Sequence, residues 1–253
     1  MQATDTNKDL KQSAKRELKA ISSGQVTSAE SAALVMDFIK NEEKSILERH
    51  RSGAGGLEIT SARAALLDAV LEVMFQAAIK RQKGAAPEVA LLAQGGYGRG
   101  QLNPGSDLDL LFLLPRASNK IPKSISTIIE EILYILWDAG FKVGHACRSI
   151  AECISEARKD QISKTALMDA RLIIGNQILF NTFTKRFDKE CIRKNQKAFF
   201  DLRRNDLRGR HKKYSHTVFL QEPHVKESCG GLRDYQNILW VARVKRGFTS
   251  LDE

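Results

Sequence analysis

Cysteine is scarce in this chain of 253 residues: Cys147, Cys153, Cys191 and Cys229 are the only four, with no CxxC pair and no metal-ligand spacing with histidine. That count and spacing exclude a disulfide framework and a zinc-finger site, and leave reduced thiols in a cytoplasm as the reading. Long apolar runs are missing too. The longest, such as 108–114, is strand-sized, well below the ~18 residues of a membrane helix, so no membrane partner is expected. The opening MQATDTNKDLKQSAKRELKA has no hydrophobic centre and is not a secretory signal. There is no internal repeat and no low-complexity tract. No basic stripe interleaved with aromatics is present either, so nucleic acid is not an expected partner.

What remains is ordinary for a soluble globular protein: 42% hydrophobic and 28% charged residues, with length for one large domain or two modest ones. The net charge of +10 favours an anionic partner without naming one. Much of it lies in RRNDLRGRHKK (203–213) and RVKR (243–246), which read either as solvated helix faces or as an anion-binding surface.

Residues 1–30 are polar and read as a loosely held helix or tail, and 31–51 show helical periodicity. A flexible break at 52–60 leads into an amphipathic helix over 61–82, with Ser61 as its cap. VALLAQ (89–94) and LDLLFLL (108–114, ended by Pro115) read as buried strands, 123–140 as a helix closed by Gly140, and FKVGHACRS (141–149) as a third strand. From about 150 onward everything reads as helical, apart from the loop LQEPHVKESCGGLRDYQ (220–236).

The stretch QGGYGRGQLNPGSDLD (94–109) joins the first two strands. It fails the P-loop pattern, because Gln101-Leu102 stand where lysine and a hydroxyl belong, and it fails GxGxxG as well. It does fit a strand, a Gly-Gly turn, and Asp-hydrophobic-Asp entering the next strand. Side chains alternate along a strand, so Asp107 and Asp109 share one face, with Cα atoms about 6.5–7 Å apart, while Leu108 and Leu110 face the core. Two carboxylates on one face repel unless a cation sits between them, and oxygen-only ligation beside phosphates suits Mg²⁺. Gly95-Gly96 would let backbone N–H groups approach triphosphate oxygens with no Cβ in the way. These parts predict a nucleotidyl-transfer site.

GGYGRGQLNPGSDLDLLFL resembles the signature of polymerase-β-type nucleotidyltransferases, in the version used by the bacterial PII-protein uridylyltransferase/uridylyl-removing enzymes. WDAGFKVGHACRSIAEC (137–153), TALMDARLIIGN (165–176) and EPHVKESCGGLRDYQNILWVARVKRGFTSLDE (222–253) match that family in order, so the likeness covers about 40–253. The resemblance implies an α+β fold: a small mixed-sheet nucleotidyltransferase domain with flanking helices over 61–155, a helical or flexible segment 1–60, and an all-helical domain 156–253. It implies transfer of UMP from UTP to a tyrosine of the PII signalling protein, with Mg²⁺, in response to glutamine. Carried over by motif, Gly95 and Gly96 line the phosphates, Asp107 and Asp109 bind metal, and Ser106 donates to a phosphate. Arg99 either pairs with the triphosphate or pins the loop to Asp138 or another acid. Lys226 and Arg233 either clamp the nucleotide or brace the fold, with Asp234 or Glu222 as neutralising partners.

The chain departs from the family pattern in three places. The third acid expected on a later strand is missing from FKVGHACRS, which leaves His145 as base, ligand or packing residue and Glu152 as the nearest downstream acid. The HD-type hydrolase and glutamine-sensing domains are not expected here, because no His-Asp dipeptide occurs and the chain stops at 253. Cys229 stands where the family motif carries proline. Adenylyl transfer to another protein or small acceptor, and an inactive PII- or nucleotide-binding fragment, are the alternative readings.

Overall fold

A computed structural model describes residues 2–82, 88–194 and 196–248; the chain end at 250–253, on which the expectation of a shortened chain rests, lies outside them. Two compact units are present: Met1–Cys153 with Asp169–Phe183, and Ile154–Met168 with Thr184–Glu253.

The first unit opens with α1 (Gln2–Glu17), α2 (Lys19–Ser23), α3 (Ser28–Arg51) and α4 (Gly56–Arg81). The N-terminal segment is packed rather than loosely held: Leu10, Ala14, Leu18 and Ile21 fall at helical spacing and are buried. Thr27 starts α3 with a capping box, its hydroxyl accepting from the Glu30 amide while the Glu30 carboxylate accepts from the Thr27 amide. α4 carries apolar residues around most of its circumference, so it is the buried central helix, against α1, α2, α3 and α6 (Lys123–Asp138). Its start differs from the sequence expectation. Gly55 is the N-cap and Ser61 lies inside the helix, because Ile59 and Thr60 are buried and draw the helix back over the supposed break.

The sheet has the order β3-β2-β1-β4, formed by β1 (Ala90–Ala93), β2 (Leu108–Leu114), β3 (Val143–Ser149) and β4 (Arg171–Gly175). β1 pairs antiparallel with β2 and with β4, whereas β2 and β3 are parallel and are joined by the crossover helix α6. The chain is α+β, as expected. Residues 171–175 correct the all-helical reading after 150: RLIIG is a strand, because the open edge of β1 offers its backbone a ladder. Residues 169–183 thus return to the first unit.

α7 (Ile150–Lys159) leads into the second unit, which holds α8 (Gln161–Met168), the end of α9 (Gln177–Phe187), a π-helical turn (Asp188–Ile192), α10 (Gln196–Lys213) and α11 (Leu232–Arg246). Part of the basic run 203–213 is internal. Arg203 is buried with its guanidinium over the Trp240 ring, and Arg210 and His211 both meet Asp234 at 2.8 Å. Among the described residues no helix is long and apolar enough to cross a membrane.

Candidate active site

The turn between β1 and β2 is built by glycine. Gly95 has φ +57°, a conformation that side-chain-bearing residues rarely adopt, and it opens a single helical turn, α5 (Gly95–Gly98). The first amide in that turn's ladder is Gly98, donating to Gln94 O at 2.9 Å, so the amides of Gly95 and Gly96 precede the ladder. Gly98 is required by contact: a Cβ there would stand 2.1 Å from the backbone oxygen of Asp169 and 2.9 Å from that of Ala93. The chain then passes Pro104 and Gly105 (φ +73°), where the Ser106 amide donates to Asn103 O at 3.2 Å, the pattern of a type II turn. Ser106 is exposed on it.

Asp107 precedes β2 and Asp109 lies within it. Both are exposed, while Leu108 and Leu110 are buried, so the alternation expected from sequence is present. Asp109 pairs in register with Gly144 of β3. A Cβ on Gly144 would come 2.8 Å from Asp109 Oδ1, and one on Gly95 would come 3.4 Å from Oδ2. The carboxylate therefore occupies a niche between two glycines, one from the turn and one from the neighbouring strand.

The turn is held from two sides. Arg99 pairs with Asp169 at 2.5 Å, both largely buried, so of the two readings the loop-pinning one describes its contact, with Asp169 in place of Asp138. Arg171 of β4 grips Asp68 of α4 with two nitrogens at 2.7 and 3.1 Å, and also donates to the carbonyls of Tyr97 and Gly98 at 3.2 and 3.3 Å. The buried Tyr97 hydroxyl donates to Asp68 at 2.8 Å; burial first, then the Asp68 carboxylate, pushes its phenol well above the ordinary value. Asp68, Asp169 and Arg171 form a platform under the glycine turn.

A metal would meet two carboxylates here. Among the described residues no group of three or more His, Cys, Asp or Glu is placed to hold an ion. The pair fits Mg²⁺ nonetheless, since that ion is commonly held by one or two carboxylates with substrate phosphates and water completing its shell, and since the Gly144 niche leaves the Asp109 oxygens space that a Cβ would fill.

The acids and bases weighed as a third functional group have other partners. By register His145 lies opposite Leu110, on the other face of β3 from Gly144, and its ring packs edge-on against Trp137 with centroids 5.8 Å apart. Glu152 caps α7, accepting from the amides of Ser149 (2.7 Å) and Ser118 (3.1 Å) and from both hydroxyls. Burial pushes its carboxyl up, but these hydrogen bonds prevail and bring it down to about 2.

Lys226 and Arg233 belong to the second unit. Their loop is knitted by backbone: Leu232 N donates to Val225 O at 2.9 Å and Arg233 N to Lys226 O at 2.8 Å. Gly231 admits this close backbone approach, since a Cβ would stand 2.8–3.0 Å from three backbone oxygens. Arg233 meets Glu227 at 3.5 Å and lies over Trp240, rather than pairing with Asp234 or Glu222; Lys226 is exposed.

Sequence reasoning missed Gly144, although VGHACRS was singled out for its lack of an acid. What that strand supplies beside Asp109 is space, and only the β2–β3 register reveals it. Asp68, Asp169 and Arg171 carry no local signal, because their partners lie between 29 and 103 residues away.

Comparison with known proteins bears out the family resemblance. Residues 77–173 match the nucleotidyltransferase domain family, and residues 198–253 match the family described as GlnD PII-uridylyltransferase. The chain is 39% identical over 211 residues to a bifunctional uridylyltransferase/uridylyl-removing enzyme of Burkholderia vietnamiensis (strain G4 / LMG 22486), and equally to one of Burkholderia orbicola (strain AU 1054). Each alignment covers 83% of this chain but 23% of the relative. The chain therefore carries a nucleotidyltransferase domain and is similar, over most of its own length, to part of the PII-uridylyltransferase/uridylyl-removing enzymes.

Proposed function

We propose that this chain transfers UMP from UTP to a tyrosine hydroxyl of the PII nitrogen-signalling protein, in the cytoplasm, and releases pyrophosphate. One observation carries the assignment of the site: the Asp109 carboxylate lies in a glycine niche beside the Gly95-Gly96 turn, with Asp107 two residues earlier at the mouth of the same strand. Gly95 and Gly96 present backbone N–H groups to the phosphates, and Ser106 adds a hydroxyl. Asp107 and Asp109 would hold Mg²⁺, which when bound would neutralise phosphate charge and lower the pKa of the attacking hydroxyl. The tyrosine oxygen attacks the α-phosphorus in line, the bond to the bridging oxygen breaks with pyrophosphate leaving, and the phenolic proton passes to water. Arg99, Asp169 and the Asp68–Arg171 pair keep the turn in place throughout. In the second unit Arg233 braces its own loop through Glu227 and Trp240.

Incubation of the chain with labelled UTP, Mg²⁺ and PII tests the reading beside the Asp107→Asn/Asp109→Asn variant. Label on PII with the parent chain alone is the expected result. Label from ATP instead of UTP would move the assignment to adenylyl transfer, and UTP binding without transfer would reduce the chain to a binding module.

A further inference from the structure

The second unit contains a cavity of about 270 Å³ between α7–α8 and the π-helical turn leading to α10, lined among others by Arg158, Gln161, Lys164, Cys191, Lys194 and Phe199. Lys164 is the unusual member. It is 7% exposed, and among the described residues it has no carboxylate partner; its ammonium lies 4.7 Å from the Phe199 ring centroid. Lysines this deeply buried are normally paired, since an ammonium loses its hydration there. Burial lowers its pKa, and Cys191 acts against that trend. Gln161 supplies a second unmet group on the same wall: its side-chain oxygen is buried and accepts no hydrogen bond among the described residues. Glu190, an acid that also lines the cavity, is already engaged by Arg158 at 2.7 Å and Arg186 at 3.1 Å.

We infer that this cavity is a binding site for a small oxyanion that also carries a hydrogen-bond donor, of which monohydrogen phosphate is the simplest. Lys164 pairs with the negative oxygens, Lys194 adds charge at the edge, and the ligand's own O–H satisfies the Gln161 oxygen. The volume lies at the small end for ligand sites, which suits a phosphate or a small carboxylate. The site lies wholly within the second unit, and the inference does not depend on the nucleotidyl-transfer reading.

The test is thermal unfolding of the full chain across a series of inorganic phosphate concentrations, at ionic strength held constant with sodium chloride, for the parent, Lys164→Met and Gln161→Leu. Phosphate also stabilises proteins generally by exclusion from their surface, so the informative quantity is the saturable part of the shift and its dependence on Lys164. The parent is expected to show a saturating rise in Tm, lost in Lys164→Met and requiring about tenfold more phosphate in Gln161→Leu. Lys164→Met removes an unpaired buried charge and should fold; if it does not, Gln161→Leu alone decides. A parallel series with acetate, which has the charge but no donor at neutral pH, should saturate alike in the parent and in Gln161→Leu. A non-saturating rise, or equal phosphate responses in the parent and the folded variants, would overturn the site.

Discussion

Gly144→Ala separates the fold from the chemistry. The added Cβ would come 2.8 Å from Asp109 Oδ1, and that oxygen must retreat by about 0.6 Å to reach ordinary van der Waals separation. It is the end of a side chain at an exposed position, so the fold accommodates the move with little cost, and Gly→Ala removes some unfolded-chain entropy in return. Tm should stay within about 3 °C of the parent. Activity should not survive as well. A misplacement of about 1 Å costs on the order of 10²-fold, so 0.6 Å corresponds to about 10- to 30-fold in kcat, or roughly 1.4–2 kcal/mol of transition-state stabilisation. Initial rates of UMP transfer to PII, read beside circular dichroism and a melt, measure both quantities. A folded Gly144→Ala chain with undiminished kcat would refute the role given to the Asp109 niche.

Gly98→Ala should do the reverse and damage the fold first, because its Cβ would meet the Asp169 backbone oxygen at 2.1 Å, where no side-chain motion relieves the contact. A loss of about 3 kcal/mol, or a fall in Tm of about 6–12 °C, is expected by calorimetry. Arg171→Met leaves the Asp68 carboxylate without its bidentate partner and should cost about 2–3 kcal/mol, while loosening the turn enough to lower kcat; denaturant melts and transfer rates together check this. Glu152→Gln tests the α7 cap. The folded carboxyl, at about 2 against 4.5 unperturbed, stabilises fully above pH 4.5, and that contribution is lost as pH falls through about 2. The full shift corresponds to about 3.4 kcal/mol, which solvent screening at this partly exposed group reduces to about 1–2 kcal/mol. The stability gap between parent and variant should therefore be constant from pH 7 to 5 and narrow below 4.

The β1–turn–β2 unit was legible because its signals are local: two apolar runs, glycines between them, and acids alternating with leucines. α6 and its ending at Gly140 were legible for the same reason. β4 was not, because five residues of RLIIG carry no period that distinguishes strand from buried helix, and the edge of β1 decides the matter. The helix start at Gly56 was hidden by its own glycines, which favour a loop until Ile59 and Thr60 are buried. At the site, the shared face of Asp107 and Asp109 could be read from spacing. The niche of Gly144 and the anchors Asp68, Asp169 and Arg171 follow from register and tertiary pairing, which spacing does not encode.

The most direct single measurement is the mass of PII after incubation with this chain, UTP and Mg²⁺, with the Asp109→Asn chain in parallel. A gain of one uridylyl group, mapped to a tyrosine and missing with Asp109→Asn, is the expected outcome. Unmodified PII with a folded parent chain, or equal modification by Asp109→Asn, would contradict the assignment of uridylyl transfer to this site.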